Sequence, residues 1–232
     1  MKTYQDINNV YYINLDSRPD RKLHFENQMR ILGWDATRFP AIKNKIGAIG
    51  CSLSHLFLLN YAKNNNLDHI LIMEDDITFL NPSLFIESLN KLLRNHYDFD
   101  VLLIAGNNMG EYKVLNDNCV QISKCQTTTG YLVKSHYYDK LIKNIYDGIN
   151  LLCKNTNNME LYAIDRYWNL LQKSDKWYLL TPLSVTQKQD YSNIECKLIN
   201  YTTSMLNLDK SDFLKKKEIL QTRIQIKKLN FT

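Results

Sequence analysis

The segment HILIMEDDITF, residues 69–79, constrains the fold more than any other. Four apolar residues, 70–73, run directly into three acids, Glu74, Asp75 and Asp76, before the chain turns apolar again. An apolar run this short, rich in β-branched residues, reads as a buried strand. Side chains alternate along an extended chain, so Glu74 and Asp76 are expected on one side and Asp75 on the other. Two carboxylates about 6 Å apart repel by about 3 kcal/mol at an effective dielectric of about 20. Left unpaired, they raise each other's pKa. A hard divalent cation with oxygen ligands, Mn²⁺ or Mg²⁺, relieves that repulsion and leaves room for phosphate oxygens. Lys or Arg partners in a solvated loop relieve it as well, and the segment alone leaves both readings open.

Strands and helices alternate around this segment. VYYINL (10–15) reads as a first strand and RPDRKLHFENQMRILG (18–33) as a helix stopped by Gly33. TRFPAI (37–42) reads as a short extended piece, and GCSLSHLFLLNYAKNN (50–65) as a helix capped by Ser52. PSLFIESLNKLLRN (82–95) is expected to be a helix with proline at its first position, and DVLLIAG (100–106) the next buried strand. CVQISKCQ (119–126) and TGYLV (129–133) read as a pair of shorter strands, and SHYYDKLIKNIYDG (135–148) as a helix from Ser135 to a stop at Gly148. ELYAIDRYWNLLQK (160–173) reads as one helix and KWYLL (176–180) as a late strand. Alternation of this kind implies an α/β domain with a mostly parallel central sheet flanked by helices. In such sheets ligands gather beyond the carboxyl ends of the strands, where the strand order reverses. The three acids stand at such an end.

With 232 residues, 44% hydrophobic and 23% charged, the chain suits one domain with a sizeable core and a tail. Composition changes near Cys196, which suggests a main domain over 1–195 and a basic, helical C-terminal extension over 196–232. That extension is expected to lie against the body, in solvent, or on an anionic membrane surface. The five cysteines form no CxxC pair and no zinc-finger spacing. The first residues carry no apolar secretory core, so reduced thiols and a cytoplasmic location are expected. No apolar run approaches the ~18 residues of a membrane span. The formal charge of +5 is spread out except in the tail, which argues against nucleic acid as a partner.

Three further pieces bear on function. NLDSRPDR sets Asn14, Arg18 and Arg21 just beyond the first strand, where guanidinium forks suit phosphate or a uracil edge, or where a surface helix simply begins. KIGAIGCSLSHL packs two glycines and two serines before a helix whose amino end offers N–H groups to an anion. His55 lies nearby, in a structural or a catalytic role. Asp165, within YAIDRYW, is flanked by apolar and aromatic residues that can raise its pKa, or it pairs with Arg166 on a helix surface.

Taken together, these pieces resemble glycosyltransferase family 25, the lipopolysaccharide and collagen β-galactosyltransferase group. The resemblance rests on YYINLDSRPDR, GAIGCSLSHL, ILIMEDDITF, TTTGYLVKS, AIDRYW and TPLSVTQKQDYSNI, in that order. It implies a GT-A-like, Rossmann-type domain that transfers galactose or glucose from a UDP-sugar with inversion, usually with Mn²⁺. By resemblance, Asn14, Leu15, Arg18 and Arg21 fall at the nucleotide, and Gly50, Ser54 and His55 line the donor pocket. Glu74 and Asp76 would hold the metal, with Asp75 on sugar or ribose hydroxyls. Asp165 is the expected base for the acceptor hydroxyl. Thr129, Gly130, Tyr131 and Gln187 are expected on the acceptor side, with Tyr131 and Trp168 stacking on sugar faces or lying in the core. The acceptor is a glycan, glycolipid or protein hydroxyl. Ala48 departs from the family pattern, which carries an acid there. An inactive relic that binds sugar or nucleotide is an alternative from another class, and a metal-dependent phosphoesterase is a further one.

Overall fold

The computed structural model describes residues 1–95, 98–192, 194–195 and 197–211. The chain opens with β1 (Val10–Asn14), α1 (Pro19–Leu32), β2 (Thr37–Pro40), α2 (Gly47–Asn64) and β3 (His69–Glu74). β4 (Ile77–Phe79), α3 (Pro82–Arg94), β5 (Val101–Asn108), β6 (Tyr112–Asn116), β7 (Cys119–Ile122) and β8 (Cys125–Lys134) follow. Then come α4 (Tyr138–Lys154) and three one-turn helices, α5 (Met159–Tyr162), α6 (Ile164–Tyr167) and α7 (Asn169–Gln172). β9 (Trp177–Leu180), β10 (Val185–Gln187), β11 (Asp190–Ser192), β12 (Lys197–Ile199) and α8 (Thr202–Met205) complete the described chain.

The central sheet has the order β2-β1-β3-β8-β5-β9-β7-β6. β2, β1, β3, β5, β9 and β6 run one way, while β8 and β7 run against them. The mostly parallel α/β sheet expected from the alternation is therefore present, with two reversed strands inserted. β8 is the consequential one. Because it is antiparallel to β3, its amino end lies beside the carboxyl end of β3.

Alternation along β3 builds two cores. Leu71 and Met73 pack with Phe25, Phe85 and Leu89 under α1 and α3. Ile70 and Ile72 pack on the other face with Leu58, Leu141 and Trp168 under α2, α4 and α6. All four strand residues are fully buried, about 1.5–3 kcal/mol of transfer free energy each.

Local signals account for most boundaries. Pro19 starts α1, and Gly33 ends it in the left-handed region at φ 64°. Asn81 accepts from the Leu84 amide at 3.1 Å to cap α3. Three expectations fail, each for a packing reason. α2 begins at Gly47 rather than after Ser52, and the Ser52 hydroxyl donates back to the Ala48 carbonyl at 2.8 Å inside the helix. α4 continues through Gly148, where a side chain would meet the Tyr167 ring at 3.1 Å. The single helix expected over 160–173 is three separate turns, with Ala163 extended at ψ 149°.

The compositional boundary at 196 is not a packing boundary. β12 pairs with β11, Met205 of α8 is buried in the core, and Lys210 donates to the Asn107 side chain and the Asn108 carbonyl at 2.6 Å each. Cys196 and residues 212–232, most of the expected basic extension, lie outside the described residues.

Candidate active site

The strand order reverses between β2 and β3, with β1 in the middle, and a cavity of about 690 Å³ opens beyond the carboxyl ends of these strands. Leu15, Arg18 and Arg21 reach it from β1 and α1, and Gly50, Ser54 and His55 from α2. Glu74, Asp75 and Asp76 reach it from β3, Asp165 from α6 and Gln187 from β10. Residues from five separate stretches of sequence thus converge on one space.

The three acids do not alternate as an extended chain would place them. β3 ends at Glu74, and Asp75 and Asp76 form a turn before β4. That turn is pinned by β10, whose following residue Lys188 donates its amide to the Asp76 carbonyl at 2.7 Å. Asp75 and Asp76 consequently face a common partner. Arg21 Nη1 lies 3.1 Å from Asp75 Oδ1 and 2.9 Å from Asp76 Oδ2. Asn14 Nδ2 donates to the other oxygen of Asp75 at 2.7 Å. Asn14 is thus buried behind the acid and orients it, rather than lining the cavity itself.

Glu74 points elsewhere. Its Oε1 accepts from Thr128 Oγ1 at 2.7 Å and its Oε2 from Gln187 Nε2 at 3.2 Å. Cys51 Sγ and His55 Nε2 each lie 3.8 Å from Oε1. Burial opposes ionisation of Glu74, but His55 and Thr128 outweigh it and hold the carboxyl below its ordinary range. Asp76 goes the other way. Burial and the Glu74 charge push it up to about 8, despite Arg21. Its Oδ1 is buried with no hydrogen-bond partner. An excess of negative charge and the unpaired Asp76 oxygen suit a hard divalent cation, while both Glu74 oxygens are engaged by Thr128 and Gln187.

Asp165 Oδ2 accepts from the Thr127 amide at 3.1 Å, and Arg166 Nε stands 3.9 Å away. Burial raises the Asp165 pKa above its ordinary value. Thr127 itself has φ 74°, a strained value for a β-branched residue, at the rim where β8 meets the cavity.

The expected acceptor residues on β8 are not at the cavity. Thr129, Tyr131 and Trp168 are fully buried, and a side chain on Gly130 would collide with Ile104 at 2.7 Å. β8 is paired on both edges by β3 and β5, and its side chains alternate into the two cores, Leu132 on one face and Tyr131 and Val133 on the other. Tyr131 hydrogen-bonds His55 Nδ1 at 2.8 Å and packs edge-on against Trp168, so neither ring can stack on a sugar. Gln126, Thr127 and Thr128, at the amino end of the strand, line the cavity instead. Gly50 and Ser54, which border the cavity, also hold its wall through the backbone. A side chain on Gly50 would lie 2.5 Å from the Ile42 carbonyl, and Ser54 Oγ accepts from the Ile42 amide at 2.8 Å. Together they press the 41–45 loop against α2 as one wall of the cavity.

Sequence reasoning missed Asp190 and Cys51. Asp190 Oδ2 accepts from Arg18 at 2.5 Å and from Arg21 Nε at 3.2 Å, latching the β11–β12 hairpin onto the arginines. No periodicity or spacing marks it, because the pairing joins residues more than 160 positions apart. Cys51 sits one helical turn before His55, a spacing that was legible.

A buried acid cluster, two arginines and Asp165 thus surround one cavity at the sheet's switch point. The family model Glycosyltransferase family 25 (LPS biosynthesis protein) matches residues 46–166, just over half of the chain. The chain belongs to glycosyltransferase family 25. A Glycosyltransferase 25 family member from Aedes aegypti is 27% identical over 106 residues, 34% of this chain and 18% of that protein. One from Drosophila melanogaster is 26% identical over 167 residues, 57% of this chain and 27% of that protein. The chain therefore spans less than a third of the length of these curated relatives. Among solved structures, a Drosophila galactosyltransferase mutant in complex with manganese, UDP-Gal and xylobiose is 11% identical at TM-score 0.44, covering 87% of this chain and 80% of that one. At that score the likeness adds nothing to the argument from geometry.

Proposed function

We propose that this chain transfers a hexose, galactose or glucose, from a UDP-sugar to a hydroxyl acceptor with inversion, assisted by Mn²⁺ or Mg²⁺ bound at Glu74 and Asp76. The observation that carries the reading is the convergence of Arg18, Arg21, the three acids and Asp165 on one cavity. Two guanidiniums beside buried carboxylates suit a diphosphate better than a neutral ligand. The diphosphate would take over the contacts that Asp190 makes with both arginines.

A divalent cation held by Asp76 Oδ1 and Glu74 supplies Lewis-acid stabilisation of the charge that develops on the UDP leaving group, worth several kcal/mol. The other roles fall to the chain's own groups. Thr128 and Gln187 fix the Glu74 carboxylate, and Asn14 with Arg21 fixes Asp75. Asp75 then presents its remaining lone pairs to sugar or ribose hydroxyls. Inversion needs one base on the acceptor side. Asp165 takes the acceptor proton, its pKa lifted by burial while the Thr127 amide holds the side chain in place. Gln187 Oε1, buried and without a hydrogen-bond partner, is positioned to accept from an acceptor hydroxyl.

A panel of UDP-sugars assayed for hydrolysis and for transfer to sugar hydroxyls tests this reading. Turnover of UDP-galactose or UDP-glucose with inverted anomeric product supports it. Binding of UDP with no turnover of any donor identifies a relic instead.

A further inference from the structure

We propose that Cys51, His55 and Glu74 form a second cation site, selective for a thiophilic divalent ion of the zinc class and sharing Glu74 with the hard-cation site. The ligand atoms of these three side chains all lie within 4.8 Å of one another, the one group of three His, Cys, Asp or Glu ligands so gathered among the described residues. Cys51 and His55 are four apart on α2 and so project from one face. His55 is fully buried, yet its Nε2 has no hydrogen-bond partner. It points toward Glu74 Oε1 across 3.8 Å, as does Cys51 Sγ at the same distance.

The His55 gap is too long for a strong hydrogen bond and the Cys51 gap is that of a weak thiol hydrogen bond, and both are close to what one ion needs. Two ligands each about 2.1 Å from a tetrahedral zinc stand about 3.4 Å apart, and zinc–sulfur bonds are about 2.3 Å. The two separations from Glu74 exceed that by a few tenths of an ångström, and Cys51 and His55, within 4.8 Å of each other, would draw together on the ion. The outer partners are already present. His55 Nδ1 is paired with the Tyr131 hydroxyl at 2.8 Å, and in the tautomer that donates there, Nε2 directs its lone pair at the site. Thr128 and Gln187 orient the carboxylate. All three ligands border the cavity, which provides the entry path and a fourth position for water. A sulfur, nitrogen and oxygen donor set favours zinc over manganese or magnesium. Binding releases the thiol proton to solvent and leaves a thiolate on the metal.

The consequence for activity rests on the transferase reading. Zinc at this site draws Glu74 away from the hard cation, so micromolar zinc inhibits transfer in a way that excess manganese only partly relieves.

The test uses cobalt(II) chloride as a spectroscopic stand-in, titrated into the full chain and then displaced with zinc chloride. One equivalent of cobalt is expected to give tetrahedral d–d bands and a thiolate-to-cobalt charge-transfer band, both removed by zinc. Cys51→Ser, with the other four cysteines intact, is expected to abolish the charge-transfer band. His55→Gln is expected to weaken cobalt binding by about 10–100-fold or more, judged against losses seen for outer-shell partners. Asp76→Asn is expected to keep the band while losing manganese-dependent UDP binding, which separates this site from the transferase reading. A purely octahedral, oxygen-type cobalt spectrum, a charge-transfer band that survives in folded Cys51→Ser, or cobalt affinity unchanged in folded His55→Gln overturns the proposal.

Discussion

One guanidinium nitrogen serves two acids: Arg21 Nη1 donates to Asp75 at 3.1 Å and to Asp76 at 2.9 Å. The rest of the same side chain reaches Asp190 and the Tyr191 carbonyl. Arg21 therefore ties the acid turn to the β11–β12 hairpin across the mouth of the cavity. Removing one partner from a buried ion pair leaves uncompensated charge and costs about 3–5 kcal/mol. Arg21→Ala is expected to destabilise the protein by about that amount in urea unfolding. Arg21→Lys should recover only part of it, since an ammonium lacks the fork that spans these four acceptors. A loss below about 1 kcal/mol in Arg21→Ala would mean the cluster is far more hydrated than its burial implies.

The Asp190 latch has an acid limit. Although burial works against it, the Tyr191 amide, Arg21 and Arg18 hold the Asp190 carboxyl below its ordinary value of 3.8. A depressed folded-state pKa means the stabilisation is present above the unfolded value and is lost as pH falls through the folded one. Wild type is expected to exceed Asp190→Asn in stability at pH 7, and the difference should close as pH drops below 3.8. Thermal unfolding of both proteins across pH 2–7 measures it. A difference independent of pH would remove the latch from the account.

Much of this arrangement was legible in the sequence, and the remainder shows where sequence reasoning stops. The apolar run into three acids correctly located a strand end, which borders the cavity, because burial and alternation are local properties. The alternation did not extend past Glu74, since the turn at Asp75 and Asp76 is imposed by β10, more than 100 positions later. Thr129, Gly130 and Tyr131 were expected at the acceptor. Only the reversed insertion of β8 between β3 and β5 reveals that they are core and that Gln126 to Thr128 face the cavity. Ser52 looked like a helix cap because serine favours that position. Gly47 starts the helix earlier, and the hydroxyl turns back on its own helix instead.

Gly50 is required for space rather than for backbone freedom. An added methyl would lie 2.5 Å from the Ile42 carbonyl, and backbone cannot swing away. Gly50→Ala is expected to cost about 1–3 kcal/mol of stability, the usual range for overpacking. It should also raise the KM for donor more than it lowers kcat, because the displaced 41–45 loop borders the cavity rather than the reacting bond. Unchanged stability and KM would contradict the tight approach of loop and helix.

Asp165 is assigned the acceptor proton. Asp165→Asn is expected to lower kcat by about 100-fold or more while leaving UDP affinity within a few-fold of wild type. The wild-type acid limb of kcat should lie above 3.8, since burial raises this carboxyl and only its ionised form accepts a proton. Turnover unchanged in Asp165→Asn would transfer the role to another group.

The central claim is that the acid cluster binds a hard cation together with a uridine diphosphate. Calorimetry of UDP titrated into the protein, with and without Mn²⁺, tests it most directly. The account predicts that Mn²⁺ tightens UDP binding by about tenfold or more, and that Asp76→Asn abolishes this gain while Asp165→Asn retains it. UDP affinity that is the same with and without Mn²⁺, or no UDP binding at all, would contradict it.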